Sequence, residues 1–254
     1  MIFKEFNKKG VFITGAASGI GQAQATAFIQ QGAYVFGFDK NQAGLIETAK
    51  KCCDKPGQFS YAVGDVSKKA DVLAAVMQVK QELGSIDILL NTAGLLDAYK
   101  PTLEVTEKEW KNILAVNLGG VFLTTNAILP GMLKNNHGVI INMTSIAGFL
   151  AGGGGAAYTA SKHAIVGYTK QLDYDYCSKG IRVNGIAPGA IKTPMNAADF
   201  AGDGKIAEWV ANETPAGRWA QPSEVADLTL FLASHHADYI HGSILPIDGG
   251  WMEK

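Results

Sequence analysis

Short apolar runs rich in Ile, Val and aromatic residues recur along the chain at 10–14, 33–38, 59–63, 86–91, 138–143, 181–187 and 243–247. None alternates strictly between apolar and polar positions, which is the pattern of strands covered on both faces. Between them lie segments with apolar residues three and four apart, among them 20–31, 70–83, 107–132, 157–178 and 223–234, as helices with one buried face require. Strand and helix repeating in this order predict right-handed crossovers and an α/β fold, a doubly wound parallel sheet in a single domain over 1–254.

Helix starts are punctuated too. Thr106 with Glu109 makes a capping-box pattern, and Pro222, Ser223 and Glu224 open another helix. The rhythm breaks over 193–217, where Pro194, Gly202, Gly204 and Pro215 surround a short amphipathic piece at 205–211. An insertion near the carboxyl ends of the late strands is where a substrate-covering segment is expected.

Composition narrows the classes. A hydrophobic share of 47% and a charged share of 18% are those of an ordinary globular protein, and a net charge of −1 gives no field to gather nucleic acid or an acidic membrane surface. Cys52, Cys53 and Cys177 are odd in number, and no His, Cys or carboxylate cluster has metal-ligand spacing. Free thiols in a reducing compartment, the cytoplasm, and no metal are therefore expected. The segments 112–133 and 137–161 lack Lys, Arg, Asp and Glu over membrane-spanning lengths. Asn112, Asn117, Asn126 and Pro130 in the first, and the glycines from Gly148 to Gly155 in the second, favour a buried helix and a buried strand with its loop. The N-terminal stretch lacks the apolar core of a secretory signal.

The candidate chemistry starts after the first strand, where Gly15, Gly19 and Gly21 stand in the order G-x-x-x-G-x-G with Ser18 and Ile20 between them. Glycines there let the backbone approach a pyrophosphate at the N-terminus of the next helix, as in Rossmann-type folds. Asp39 ends the second strand, where a carboxylate accepts hydrogen bonds from an adenosine ribose and repels a 2'-phosphate. No arginine lies in the glycine loop and Lys40 is the one basic neighbour, so NAD(H) is favoured over NADP(H). Further on, Tyr158 and Lys162 stand one helical turn apart behind the glycines Gly152 to Gly155, so that an ammonium lies near a phenol and favours its ionised form. Ser145 lies across that glycine run from the tyrosine.

Jointly these motifs resemble the short-chain dehydrogenase/reductase family, in its shorter single-domain branch, over essentially the whole chain. The resemblance implies that Asn117, Ser145, Tyr158 and Lys162 are the catalytic four, with Tyr158 the acid/base in hydride exchange between a small alcohol or ketone and the cofactor. Lys162 would tune the tyrosine and bind the nicotinamide ribose, and Asn117 would hold a proton-relay water. It further implies cofactor contacts from Asp65 and Val66, from Asn91, Ala93 and Gly94 in "NTAG", and from Pro188, Gly189, Ile191 and Thr193 in "PGAIKT". The family also implies a homotetramer joined through the helices at 107–132 and 157–178 and the last strand. Thr92 stands where a second asparagine is usual, and His241 where threonine is common. The competing readings are a 3-oxoacyl-carrier-protein reductase, with Lys134 and Lys179 as a thin basic patch for the acidic carrier, and a non-catalytic cofactor sensor. His163 reads as a bystander, His235 and His236 as a helix C-cap, and the tryptophans mainly as packing groups.

Overall fold

The structure, a computed structural model, describes residues 3–254. Seven strands, β1 Gly10–Thr14, β2 Tyr34–Asp39, β3 Gln58–Val63, β4 Ile88–Asn91, β5 Gly138–Met143, β6 Ile181–Pro188 and β7 Ile244–Ile247, form one sheet in the order β3-β2-β1-β4-β5-β6-β7. Every pairing is parallel. The order reverses between β1 and β4, and in such a sheet the crevice beyond the carboxyl ends at that point is the place for a ligand.

The helices are α1 Gly19–Gln30, α2 Gln42–Cys52, α3 Lys69–Leu83, α4 Glu107–Leu114, α5 Gly120–Lys134, α6 Ala156–Tyr176, α7 Lys205–Glu213 and α8 Pro222–Ala233. Because successive strand side chains point to opposite faces, β1 sends Val11 and Ile13 into a core shared with α1, α2 and α8, and Phe12 into a second core shared with α3, α5 and α6. The fully buried runs of β1, β5 and β6 explain why those segments show no polar alternation.

Two local expectations need correction. The segment 107–132 is not one regular helix: a π-helical stretch, Ala115–Gly119, separates α4 from α5 and carries Asn117. The cause lies in tertiary structure, since the Asn117 amide grips the backbone of Leu95, whose N–H it accepts at 2.7 Å and whose carbonyl it bonds at 2.9 Å. His235 and His236 do not cap α8. They start a short 3-10 turn in which Ser234 Oγ accepts the His236 N–H at 3.3 Å and His235 pairs with Asp238, while the carbonyls at the end of α8 are taken by the buried Arg182 guanidinium. Trp209, Trp219 and Trp251 line the main cleft, and Trp219 also packs on the Phe200 ring. The capping box of Thr106 and Glu109 forms as expected, and α8 opens with a second one built by Gln221 and Glu224.

Candidate active site

A cleft of about 660 Å³ opens above the carboxyl ends of β1 and β4. Gly15 turns the chain out of β1 at φ +74°, and a Cβ there would lie 2.8 Å from the Ala93 backbone, so the glycine loop and the "TAG" loop touch as only a glycine allows. Ser18 precedes α1 without using its side chain as a cap, which leaves the amides of that helix end to a ligand. The Asp39 carboxylate is held by the Ala17 and Asn41 amides at 3.1 and 2.9 Å. Asp65 accepts the Ser67 hydroxyl and amide at 2.7 and 2.9 Å, bonds that hold its carboxyl below the usual range.

At the other end of the cleft, Ser145 follows β5 and accepts the Ala147 N–H at 3.1 Å. Tyr158 and Lys162 project from the first turns of α6 and are only 8% and 4% exposed. The Lys162 ammonium sits 5.4 Å from the Tyr158 ring centre and donates to the Met143 carbonyl at 2.8 Å. Burial pushes the tyrosine phenol up to about 12, against the lowering effect of a hydrogen bond with Ser145, and pushes the lysine down to about 8. The sequence led us to expect a phenol made more acidic by the ammonium. In the protein without cofactor, desolvation dominates.

Two residues that sequence reasoning did not single out hold this end together. The Asp97 carboxylate accepts the Gly155 N–H at 2.6 Å and the Tyr158 N–H at 3.0 Å, capping the helix that carries the tyrosine. A Cβ on Gly155 would lie 2.7 Å from that carboxylate, so the end of the glycine run is shaped around it. Ser161 bridges the π-helical stretch to α6, accepting from Asn117 Nδ2 at 3.1 Å and donating to the Tyr158 carbonyl at 2.7 Å. Asp97 carries no motif because its partners lie 58 and 61 residues away, and what marks Ser161, which stands between Tyr158 and Lys162, is its bond to Asn117, 44 residues earlier.

Of the expected residues, Gly15, Ser18, Gly19, Ile20, Gly21, Asp39, Asp65, Val66, Ala93, Gly94, Ser145, Tyr158, Lys162, Pro188, Gly189, Ile191 and Thr193 line this one cleft. Asn91 and Asn117 stand behind that lining, and a Cβ on Gly94 would lie 3.5 Å from Asn117 Oδ1 and 3.7 Å from Lys162 Nζ. The Asn91 amide is spent within the protein on Thr124, Thr125 and Asn142, and Asn117 is fully buried on Leu95 and Ser161. Thr92 bonds Gln24 at 2.7 Å, tying the "TAG" loop to α1, and His241 bonds the buried Asp173 at 2.9 Å.

A family model described as enoyl-(acyl carrier protein) reductase matches residues 15–252. The chain is 37% identical to a 3-oxoacyl-[acyl-carrier-protein] reductase of Thermotoga maritima over 95% of this chain and 97% of that protein. It is 38% identical to a D-threitol dehydrogenase of Mycolicibacterium smegmatis, over 97% of this chain and 94% of that protein. Among solved structures, a putative NAD(P)-dependent gluconate 5-dehydrogenase from Beutenbergia cavernae, with bound NADP at low occupancy, superposes with a TM-score of 0.91 at 34% identity over 98% of both chains. With matches that run nearly end to end, the chain belongs to the short-chain dehydrogenase/reductase family of oxidoreductases.

Proposed function

We propose that this protein exchanges hydride between NAD(H) and a secondary alcohol or ketone, with Tyr158 as the acid/base. The observation that carries the reading is the convergence of Ser145, Tyr158 and Lys162 with the glycine loop and Asp39 in one cleft. The residues present fit a nicotinamide dinucleotide: the uncapped end of α1 suits a pyrophosphate, and Asp39 suits a ribose. When bound there, the cofactor supplies or accepts the hydride. Tyr158 gives a proton to the carbonyl oxygen in reduction and removes it from the alcohol in oxidation. Ser145 orients that oxygen and steadies its developing charge. Lys162, charged near neutrality, favours the phenolate and binds the nicotinamide ribose. Asn117 is a positioning residue that locks Leu95 against Ser161. The segment 193–217 closes over the substrate, and the working form is a cytoplasmic homotetramer.

Tyr158→Phe keeps the ring and removes one hydroxyl. Turnover on the best substrate should fall by about 10² to 10⁴ while cofactor binding and thermal stability hardly change. A variant that keeps most of its activity would remove the tyrosine from the mechanism.

NADP(H) is the second reading of the cofactor, favoured by the NADP held in the gluconate dehydrogenase neighbour. Against it, a 2'-phosphate would meet the Asp39 carboxylate, with Lys40 the one cation lining that end among the described residues. NADH should bind at least about tenfold more tightly than NADPH, a difference of about 1.4 kcal/mol. Equal dissociation constants would overturn the preference for NAD(H), and reversed ones would hand it to the second reading.

A further inference from the structure

Beside its glycine-rich loops, the cleft has a wall of different character. Tyr99, Met195, Asp199, Ile206, Trp209 and Trp251 form it. Ile206 and Trp209 project from α7 and remain 57% and 59% exposed, and Met195 and Tyr99 are exposed as well. Large apolar side chains gathered at the mouth of one cleft, uncovered by the chain itself, mark a surface kept for a ligand. Tyr99 is held at φ +56°, a backbone conformation that costs an aromatic residue energy and recurs at binding sites.

Of the side chains that form this wall, Asp199 is the one that carries a charge. Burial first, then the Asp199 and Asp97 carboxylates, push the Tyr99 phenol up. Asp199 lines the cleft, and among the described residues the cationic side chains lining it are Lys162, tied to the Met143 carbonyl, and Lys40 beside Asp39 at the far end. The basic residues nearby are engaged: Lys100 with Glu109, Lys205 with Asp203, Arg218 with Glu224, Lys192 over the Phe200 ring, and Lys254, which lies 3.8 Å over the Trp251 ring, with Glu213 at 2.9 Å. A carboxylate or phosphate on the substrate would lose water there, face Asp199, and find no free counter-ion.

We infer that this wall selects an uncharged alcohol or ketone with an apolar body, such as a carbocyclic ring, and rejects its carboxylated or phosphorylated counterparts. The inference rests on the oxidoreductase reading above. It is tested with matched pairs, methyl 4-oxocyclohexanecarboxylate against its free acid and methyl levulinate against levulinate. Binding to the protein saturated with oxidised cofactor is followed through the fluorescence of the cleft tryptophans, and reduction by NADH is followed in parallel. In at least one pair the ester should bind at least about tenfold more tightly than the acid, and in Asp199→Asn that ratio should shrink to less than about threefold. Acids that bind as tightly as their esters, a ratio unchanged in Asp199→Asn, or no binding by any of the four compounds would overturn the inference. Esters that bind selectively yet are never reduced would uphold the wall's selectivity and count against the redox reading alone.

Discussion

Two buried titratable side chains, one above the other on α6, give the cleft a pH signature. Lys162 is pushed down to about 8 from an ordinary 10.5, so between those values the unfolded chain binds the proton more readily, and this group's contribution to stability is lost as pH falls through 8. Tyr158 is pushed up to about 12 from an ordinary 10, so its contribution is intact below 10 and is lost as pH rises from there towards 12. The two effects occupy different windows, and Tyr158→Phe isolates the second. The difference in unfolding free energy between the cofactor-free wild type and Tyr158→Phe, from chemical denaturation, should stay level from pH 8 to 10. Above pH 10 it should move against the wild type by up to about 1.4 kcal/mol per unit. A flat difference up to pH 11.5 would mean that the phenol titrates as it does in the unfolded chain. That the two side chains lie together was legible in the sequence, because it follows from helical spacing. Their pKa shifts were not, because they depend on how much of the cleft floor water can reach.

Strands and helices obey local rules, and those were legible to within a few residues: β1 and β5 have the limits their apolar runs predict. What local pattern misses is whatever one element does to another. The π-helical stretch at Asn117 exists because of Leu95, 22 residues earlier. The N-terminus of α6 is secured by Asp97, 58 and 61 residues away from the amides it accepts. A carboxylate at that end both caps free N–H groups and meets the positive end of the helix dipole. Asp97→Ala should therefore lower stability by about 1–2 kcal/mol in a denaturant titration. It should also reduce kcat more than it raises KM, because the loosened turn carries Tyr158. Asp97→Asn, which keeps one acceptor oxygen, should recover part of both. An alanine variant with wild-type stability and kcat would show that the helix start is held by its other contacts.

For the molecule as a whole, the sheet ends in two open edges, β3 and β7, and its exposed large apolar residues include some on faces away from the cleft. Phe122 on α5 and Tyr174 on α6 stand in solvent, and Gly167, earlier on α6, has open space above it. Near β7, Tyr239 is fully exposed. The helix face was expected from the succession Ile165, Val166 and Tyr168, of which only Ile165 is buried inside the chain. A tetramer with three two-fold axes needs two separate self-complementary patches, whereas a dimer needs one, and in the proposed assembly the exposed side chains on α5 and α6 and around β7 would serve as the two. Light scattering at micromolar concentration should give four times the 26.9 kDa mass of the chain. Phe122→Glu puts two like charges close to the axis of the helix-face contact while leaving the β7 contact untouched, so it should halve the mass without unfolding the protein. A wild-type mass of one chain would refute the assembly. A tetramer that survives Phe122→Glu would move the contact off this helix face.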